Sequence, residues 1–239
     1  MTRAARFTLT ASVIAALLLI GAGPGSRLGA WDFRTGFTLL RWGAYLGIAA
    51  AVAALAQLAI PRWRATPPWP LLAALGLGVL AAGVPWYWRA RARSVPPIHD
   101  ITTDTADPPV FVAVLPLRAD APNPAEYGGE DVAAAQQQAY PDLRPLILPL
   151  APDVTFARAL DAARGAGWAI VAADSTDRRI EATETTGWFG FKDDVVVRIR
   201  PADGGSRVDV RSVSRTGRSD VGTNARRIRA YLRSLGAGG

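Results

Sequence analysis

The chain has 239 residues, half of them hydrophobic, enough for one or two domains with a core of their own. Its formal charge of +7 is unevenly laid out. Ten of 27 basic residues precede residue 95, where Asp32 is the one acid, while 17 basic and 19 acidic residues follow. That split argues against a nucleic-acid-binding protein, which needs a clustered basic face on its folded part. It fits arginines that flank membrane segments. With no cysteine, disulfides, thiol nucleophiles and cysteine-ligated metals are excluded as well.

Three apolar segments come first, at about residues 7–23, 37–60 and 69–88. A membrane span needs roughly 20 apolar residues, and the second and third reach that length. Six of the eight tryptophans (Trp31, Trp42, Trp63, Trp69, Trp86 and Trp88) lie in this part, mostly at the ends of the runs, as in an aromatic belt. Arg41 sits one turn inside the second run, from where its head can reach the headgroups. The first run, behind Arg3 and Arg6, reads either as a retained span or as a signal peptide. The two further spans favour retention. No Asp, Glu or His falls within a span, which opposes an ion path. Ala and Gly dominate all three and permit close helix contact, within the chain or with another integral membrane protein. With three spans, Arg3, Arg6, Arg62 and Arg64 share one side, and Arg27, Arg34, Arg89, Arg91 and Arg93 the other. The positive-inside rule then slightly favours a cytoplasmic C-terminal part.

Residues 1–93 thus read as a transmembrane domain, 94–109 as a linker and 110–239 as a soluble domain. The linker, "SVPPIHDITTDTADPP", holds four prolines and reads as an extended strap. It carries the single histidine, His99, beside Asp100. Neighbours in an extended chain point apart, so a base and its orienter need a bend there. "VFVAVLP" (Val110 to Pro116) reads as a short strand or packed extended segment. A helix over Asp131–Ala139 stops at Pro141. "RPLILPL" (Arg144 to Leu150) is extended, with prolines that exclude a helix and argue against a central strand.

From Ala151 the pattern is clear. Pro152 opens a helix with Asp153 as its cap, and Phe156, Leu160 and Ala163 share one face. Strands follow at Trp168–Ala173, Arg178–Thr185, Asp194–Arg200 and Arg207–Arg215, with Ile180, Ala182, Val195, Val197, Ile199, Val208 and Val210 facing inward. "PADGGS" is a hairpin turn whose glycines supply positive φ. A last helix spans about Val221–Leu235, with Arg226, Arg227, Arg229 and Arg233 facing away or toward an acidic partner. The fold class is therefore α+β: three N-terminal transmembrane helices, then a small two-layer domain in which helices pack one face of an antiparallel sheet. The alternation leaves the other face polar or solvated.

Two groups are candidate sites. The loop "TTGWFGFKDD" places Trp188, Phe189 and Phe191 ahead of Lys192 and Asp193, between two antiparallel strands. Aromatics there either cap the core or are presented to a protein or membrane. The second group is basic. Arg198 and Arg200 oppose Arg207, Asp209 and Arg211, either as cross-strand pairs or as a face for acidic groups. Arg215 and Arg218 precede the last helix, whose free first amides attract anions, unless Ser219, Asp220 or Thr223 caps them. Asp220 and Asn224 can also fix that turn. Arg198, Arg211, Arg215, Arg218 and Asn224 form the candidate anion or lipid site. There is no Gly-rich phosphate loop, nucleophile elbow or zinc pattern, so no catalytic residue, cofactor or metal is expected.

"PPIHDITTD", "YPDLRPL", "GWAIVAAD", "RIEATETTGWFGFKDDVVVRIRP" and "GSRVDVRSVSRTGRSDVGTNARRIRAYL" together resemble the uncharacterised bacterial family known as domain of unknown function 1499, in its longer membrane-anchored form. The likeness runs through residues 96–235. It implies no catalytic role, because the family has no established activity. Relatives associated with chloroplasts imply, by analogy, a periplasmic C-terminal domain, against the slight charge bias. The expected role is a non-enzymatic accessory subunit of an inner-membrane complex, with another integral membrane protein and membrane lipid as partners. The alternative is a module for an anionic small molecule or lipid headgroup, and a hydrolase using His99 comes third.

Overall fold

The computed structural model describes residues 1–63 and 67–237; Arg64, counted in the charge balance above, lies outside them. The chain divides into two compact units. One comprises Met1–Arg93 together with Gly187–Gly190; the other comprises Ser94–Thr186 and the chain from Phe191 onward.

The first unit is built of three helices, α1 (Arg3–Arg27), α2 (Phe33–Ala59) and α3 (Trp69–Arg93), each long and apolar enough to cross a membrane. This makes the chain a membrane protein. Each helix outlasts its apolar run by a turn or more at one end at least, because backbone hydrogen bonding continues into the arginine-bearing flanks. Asp32 starts α2 by accepting hydrogen bonds from the amides of Arg34 and Thr35, which satisfies two of the free N-terminal donors. The buried stripes are made of small residues. In α1 they are Ala5, Thr8, Ser12, Ala15, Leu19 and Ala22, and in α3 Leu71, Ala74, Gly78 and Ala81. Both follow the alternating three- and four-residue step of a helix–helix seam. Gly47 of α2 and Gly78 of α3 bring their backbones together: a Cβ on Gly78 would lie 2.5 Å from the Gly47 carbonyl oxygen. Between α1 and α2, Gln57 donates to the Thr8 hydroxyl at 2.7 Å, a polar contact with no water to compete for it.

The second unit carries a six-stranded, wholly antiparallel sheet. Four strands are those read from the sequence: β3 (Ala169–Asp174), β4 (Arg179–Thr185), β5 (Lys192–Ala202) and β6 (Gly205–Ser214). Two more, β1 (Asp100–Thr102) and β2 (Leu146–Leu148), lie end to end along the free edge of β6. The segment read as a linker therefore supplies a strand. Three residues are too few to show an alternation, and the pairing partner lies more than a hundred residues away. The edge of β1 is closed in turn by a side chain. Gln136 of α4 (Gly129–Ala139) accepts from the Thr102 amide at 2.9 Å and donates to the Thr102 carbonyl at 2.6 Å, as a neighbouring strand would.

One sheet face packs on α5 (Pro152–Gly165) and α6 (Thr223–Gly236). Ile180, Ala182, Val195, Val197, Ile199, Val208 and Val210 meet Phe156, Ala159, Ala163, Ile228, Tyr231 and Leu235 in a single core. The α+β class and the inward positions thus stand as read. The cap of α5 does not. Ala151 is its N-cap and Pro152 its first residue, while Asp153, inside the first turn, accepts from Arg178 Nε at 2.7 Å. Proline suits the first helical position because its fixed φ is already helical and its missing N–H would have been unpaired there anyway.

The helix seam gives a paired expectation. Gly78→Leu should destabilise the helical unit by about 1–3 kcal/mol, the usual range for overpacking. Gly76→Leu, where an added Cβ meets nothing within 4 Å, should leave stability unchanged. Unfolding of the full chain in mixed micelles, followed by circular dichroism, separates the two.

Candidate functional site

The second face of the sheet is polar, as the alternation requires, but it is not solvated. Residues 103–127 run across it. The segment Val110–Pro116 is neither strand nor extended ladder; it leads into a short 3-10 turn at Leu115–Arg118. The reason is Glu181. Its carboxylate, 1 % exposed, accepts from the amides of Val112, Ala113 and Val114, all at 3.0 Å. Three backbone donors directed at one carboxylate replace the ladder that a strand would have used. Phe111 and Val114 then pack with Val196 and Val213 into a second, smaller core.

Three further charge clusters fill the same layer. Arg211 is 2 % exposed and grips Asp100 with both ends of its fork, Nε to Oδ1 at 2.9 Å and Nη2 to Oδ2 at 2.7 Å. Its other donors go to the carbonyls of Pro109 and Ala125, and its plane lies near the rings of Phe111 and Tyr127. Burial pushes the Tyr127 hydroxyl up to about 12, helped by the Asp100 charge. Asp194, wholly buried, accepts from Arg118 at 2.6 Å, from Arg215 at 2.8 Å and from the Thr183 hydroxyl at 2.6 Å. Burial alone would raise its pKa, but the hydrogen bonds from Arg215, Thr183 and Arg118 outweigh it and hold the carboxyl below the usual carboxylate value. Asp209, also wholly buried, is met by Arg198 at 3.1 Å, Arg200 at 2.9 Å and Arg207 at 2.8 Å, with Asp104 and Asp107 completing the cluster.

The helix-facing side has its own network. Arg227 does not face away from the domain. It turns inward, donates to Asp193 at 2.6 Å and pairs with Glu184 and the Asn224 carbonyl oxygen. Asn224 also donates to the His99 carbonyl and the Ser214 hydroxyl, each at 3.0 Å, and accepts from Ser212 at 2.7 Å. Asp220 holds the start of α6, accepting from the amides of Gly222 at 2.8 Å and Asn224 at 2.7 Å. Burial nevertheless carries its carboxyl above the ordinary value. Val221 and Gly222 both take positive φ, 54° and 73°. That is costly for a β-branched residue, and it is the turn that Asp220 braces.

The predicted site residues are therefore dispersed. Arg211 and Asn224 are buried with their donors used, and Arg198 and Arg215 are tied to aspartates. Arg218 is exposed, with no ion pair among the described residues. Anion binding by these five together is not what the geometry provides. In the aromatic loop, Asp193 is 2 % exposed and paired with Arg227, so it is not available to a partner. Lys192 is exposed and Phe191 half-buried. Trp188 and Phe189 belong to the helical unit. A Cβ at Gly23 would strike the Trp188 ring and one at Gly36 the Phe189 ring, and Phe189 lies 4.9 Å from Phe37 between ring centroids. Trp188 remains 48 % exposed. His99 is half-buried; its neighbour Asp100 is committed to Arg211 and so does not orient the imidazole. The described residues contain no group of three His, Cys, Asp or Glu suited to a metal ion.

Fold and polar layer define a membrane protein with an α+β domain organised round a charge-lined sheet. Residues 100–235, more than half of the chain, match the model of the DUF1499 family, described as a protein of unknown function. The chain belongs to that family. No curated protein matches it.

Two expectations test the layer. Arg211→Met strands the buried Asp100 charge and should cost about 3–5 kcal/mol. Adding Asp100→Leu should recover part of that loss, a coupling that a double-mutant cycle on thermal unfolding would read. For Asp194 the sign follows from its depressed pKa. Its contribution is whole above the unfolded-state value of about 3.9 and is lost as pH falls below it toward the folded value. Stability of the full chain measured from about pH 6 down to about pH 3 should therefore fall, and the fall should be shallower in Asp194→Asn, whose uncharged amide has nothing to lose by protonation.

Proposed function

We propose that this protein is a non-enzymatic accessory subunit of a membrane complex, held by its three helices and contributing a rigid domain to the assembly. The observation that carries this reading is the commitment of the polar groups. Arg211, Arg215, Asp100, Asp193, Asp194, Glu181 and Asn224 all spend their hydrogen-bonding capacity inside the domain. Groups locked in this way specify and stiffen a fold; a general acid or nucleophile has to reach a substrate. The half-exposed Trp188 offers a large apolar contact of the kind that anchors interfaces.

The setting we propose is the bacterial cytoplasmic membrane, with the C-terminal domain on the periplasmic side. It would follow from a cytoplasmic N-terminus and three retained spans, and the analogy with chloroplast-associated relatives supports it. Another integral membrane protein is the proposed partner, reached through the small-residue helices and Trp188.

Purification of the tagged chain from native membranes in mild detergent tests this role. A stoichiometric larger complex is expected, and Trp188→Ala with Phe189→Ala should lower its yield at unchanged expression. Isolation of the chain alone under conditions that preserve other membrane complexes would count against an accessory role.

A further inference from the structure

A cleft opens on the helical side of the second unit, between α5 and α6. Its volume is about 840 Å3, within the roughly 300–1,000 Å3 typical of small-molecule sites. Trp168 and Tyr231 stack beneath it with 4.7 Å between ring centroids, but both are buried, and the apolar surface open to the cleft comes from Ala162, Ala166 and Ala230. Three arginines line the walls, and their pairing differs. Arg227 is neutralised by Glu184 and Asp193. Arg226 donates to the Val221 carbonyl and the Thr223 hydroxyl, both neutral, and has no acid in ion-pair range among the described residues. Arg158 keeps one guanidinium nitrogen, Nη2, buried with no hydrogen-bond partner. Arg158 is half-buried and has no ion pair among the described residues, so its guanidinium favours an oxyanion in the cleft, and Nη2, which has no open surface, meets one only when the side chain turns. Asp161, the remaining acid on the lining, is three-quarters exposed and reaches Arg164 at 3.4 Å, so it offsets the arginines weakly.

We propose that this cleft binds an amphipathic anion, with a carboxylate or phosphate head on Arg158 and Arg226 and a compact apolar body against the floor formed by Ala162, Ala166 and Ala230. None of the five basic and polar residues singled out in the sequence lines it. The site is independent of the accessory role: it lies within one unit and is read by a different measurement. A membrane lipid and a soluble organic anion share the required chemistry.

The test uses the full chain in nanodiscs of zwitterionic lipid, titrated calorimetrically with hexyl phosphate, inorganic phosphate and hexanol. Hexyl phosphate should bind more tightly than either fragment. Binding should weaken about tenfold or more in Arg158→Gln and in Arg226→Gln, the effect of losing one charge-assisted contact, and should persist in Arg233→Gln. Thermal unfolding confirms that each variant is folded. If Arg158→Gln does not fold, Arg226→Gln alone carries the comparison. Equal affinity for inorganic phosphate would remove the apolar floor from the proposal, equal affinity for hexanol would remove the arginines, and unchanged binding in folded variants would overturn it outright. Small molecules released from protein purified from native membranes mark the source, by partition into organic or aqueous solvent. Equal recovery from the Arg158→Gln/Arg226→Gln chain would likewise overturn the proposal.

Discussion

A carboxylate withdrawn from water costs several kcal/mol unless fixed donors replace its hydration. Glu181, Asp194 and Asp209 stand on adjacent strands with side chains on one face, each 1 % exposed or less. This requirement shapes the second unit. Each carboxylate calls for a donor set, and the sheet by itself cannot supply all of them. Arg118 and the amides of Val112, Ala113 and Val114 come from the chain laid over the face, while Arg198, Arg200, Arg207 and Arg215 come from the sheet itself. The covering segment is thus held by charge as much as by the Phe111 and Val114 contacts.

Such a layer adds specificity more than net stability, since buried ion pairs roughly cancel against their own desolvation. A bidentate Arg211–Asp100 pair tolerates one register between β1 and β6, because a slip of one residue turns Asp100 to the opposite face. Asn224 acts in the same way on the helical side, joining β6, α6 and the chain at His99 through one amide. The arrangement explains why residues that look reactive in the sequence do not form a reactive site. Asp193 and Asp194 are neighbours, yet they serve opposite faces, one holding Arg227 and the other Arg118 and Arg215.

The helical unit obeys a different constraint. Apolar surface has no advantage in contacting apolar surface when lipid is the alternative, so close packing must do the joining. Gly47 against Gly78 allows backbone-to-backbone approach, and bulky residues such as Leu17, Ile20, Val52, Leu55, Val79 and Leu80 stay on the outside. The aromatic loop of the β4–β5 connection obtains its place by the same means. Trp188 and Phe189 lie where Gly23 and Gly36 leave room.

Some of this was legible in the chain alone. Apolar runs of span length, the two-residue alternation of β3 to β6 and the helical stripes of α5 and α6 are local patterns, and local patterns survive in a sequence. They determined the three helices, the α+β class and which face of the sheet is apolar. The fate of the polar face was not legible. Asp100 finds Arg211 across 111 positions and Glu181 finds Val112 across 69, and no periodicity encodes a pairing at that distance. For the same reason β1 passed as part of a linker and β2 as an extended segment with no ladder partner, and Arg227 was left to face either outward or an acidic partner. Arg158 and Arg226 acquired a common cleft only when α5 and α6 were laid side by side on the sheet. A charge in a sequence specifies that a partner or water is needed; only the folded chain decides which of the two it receives.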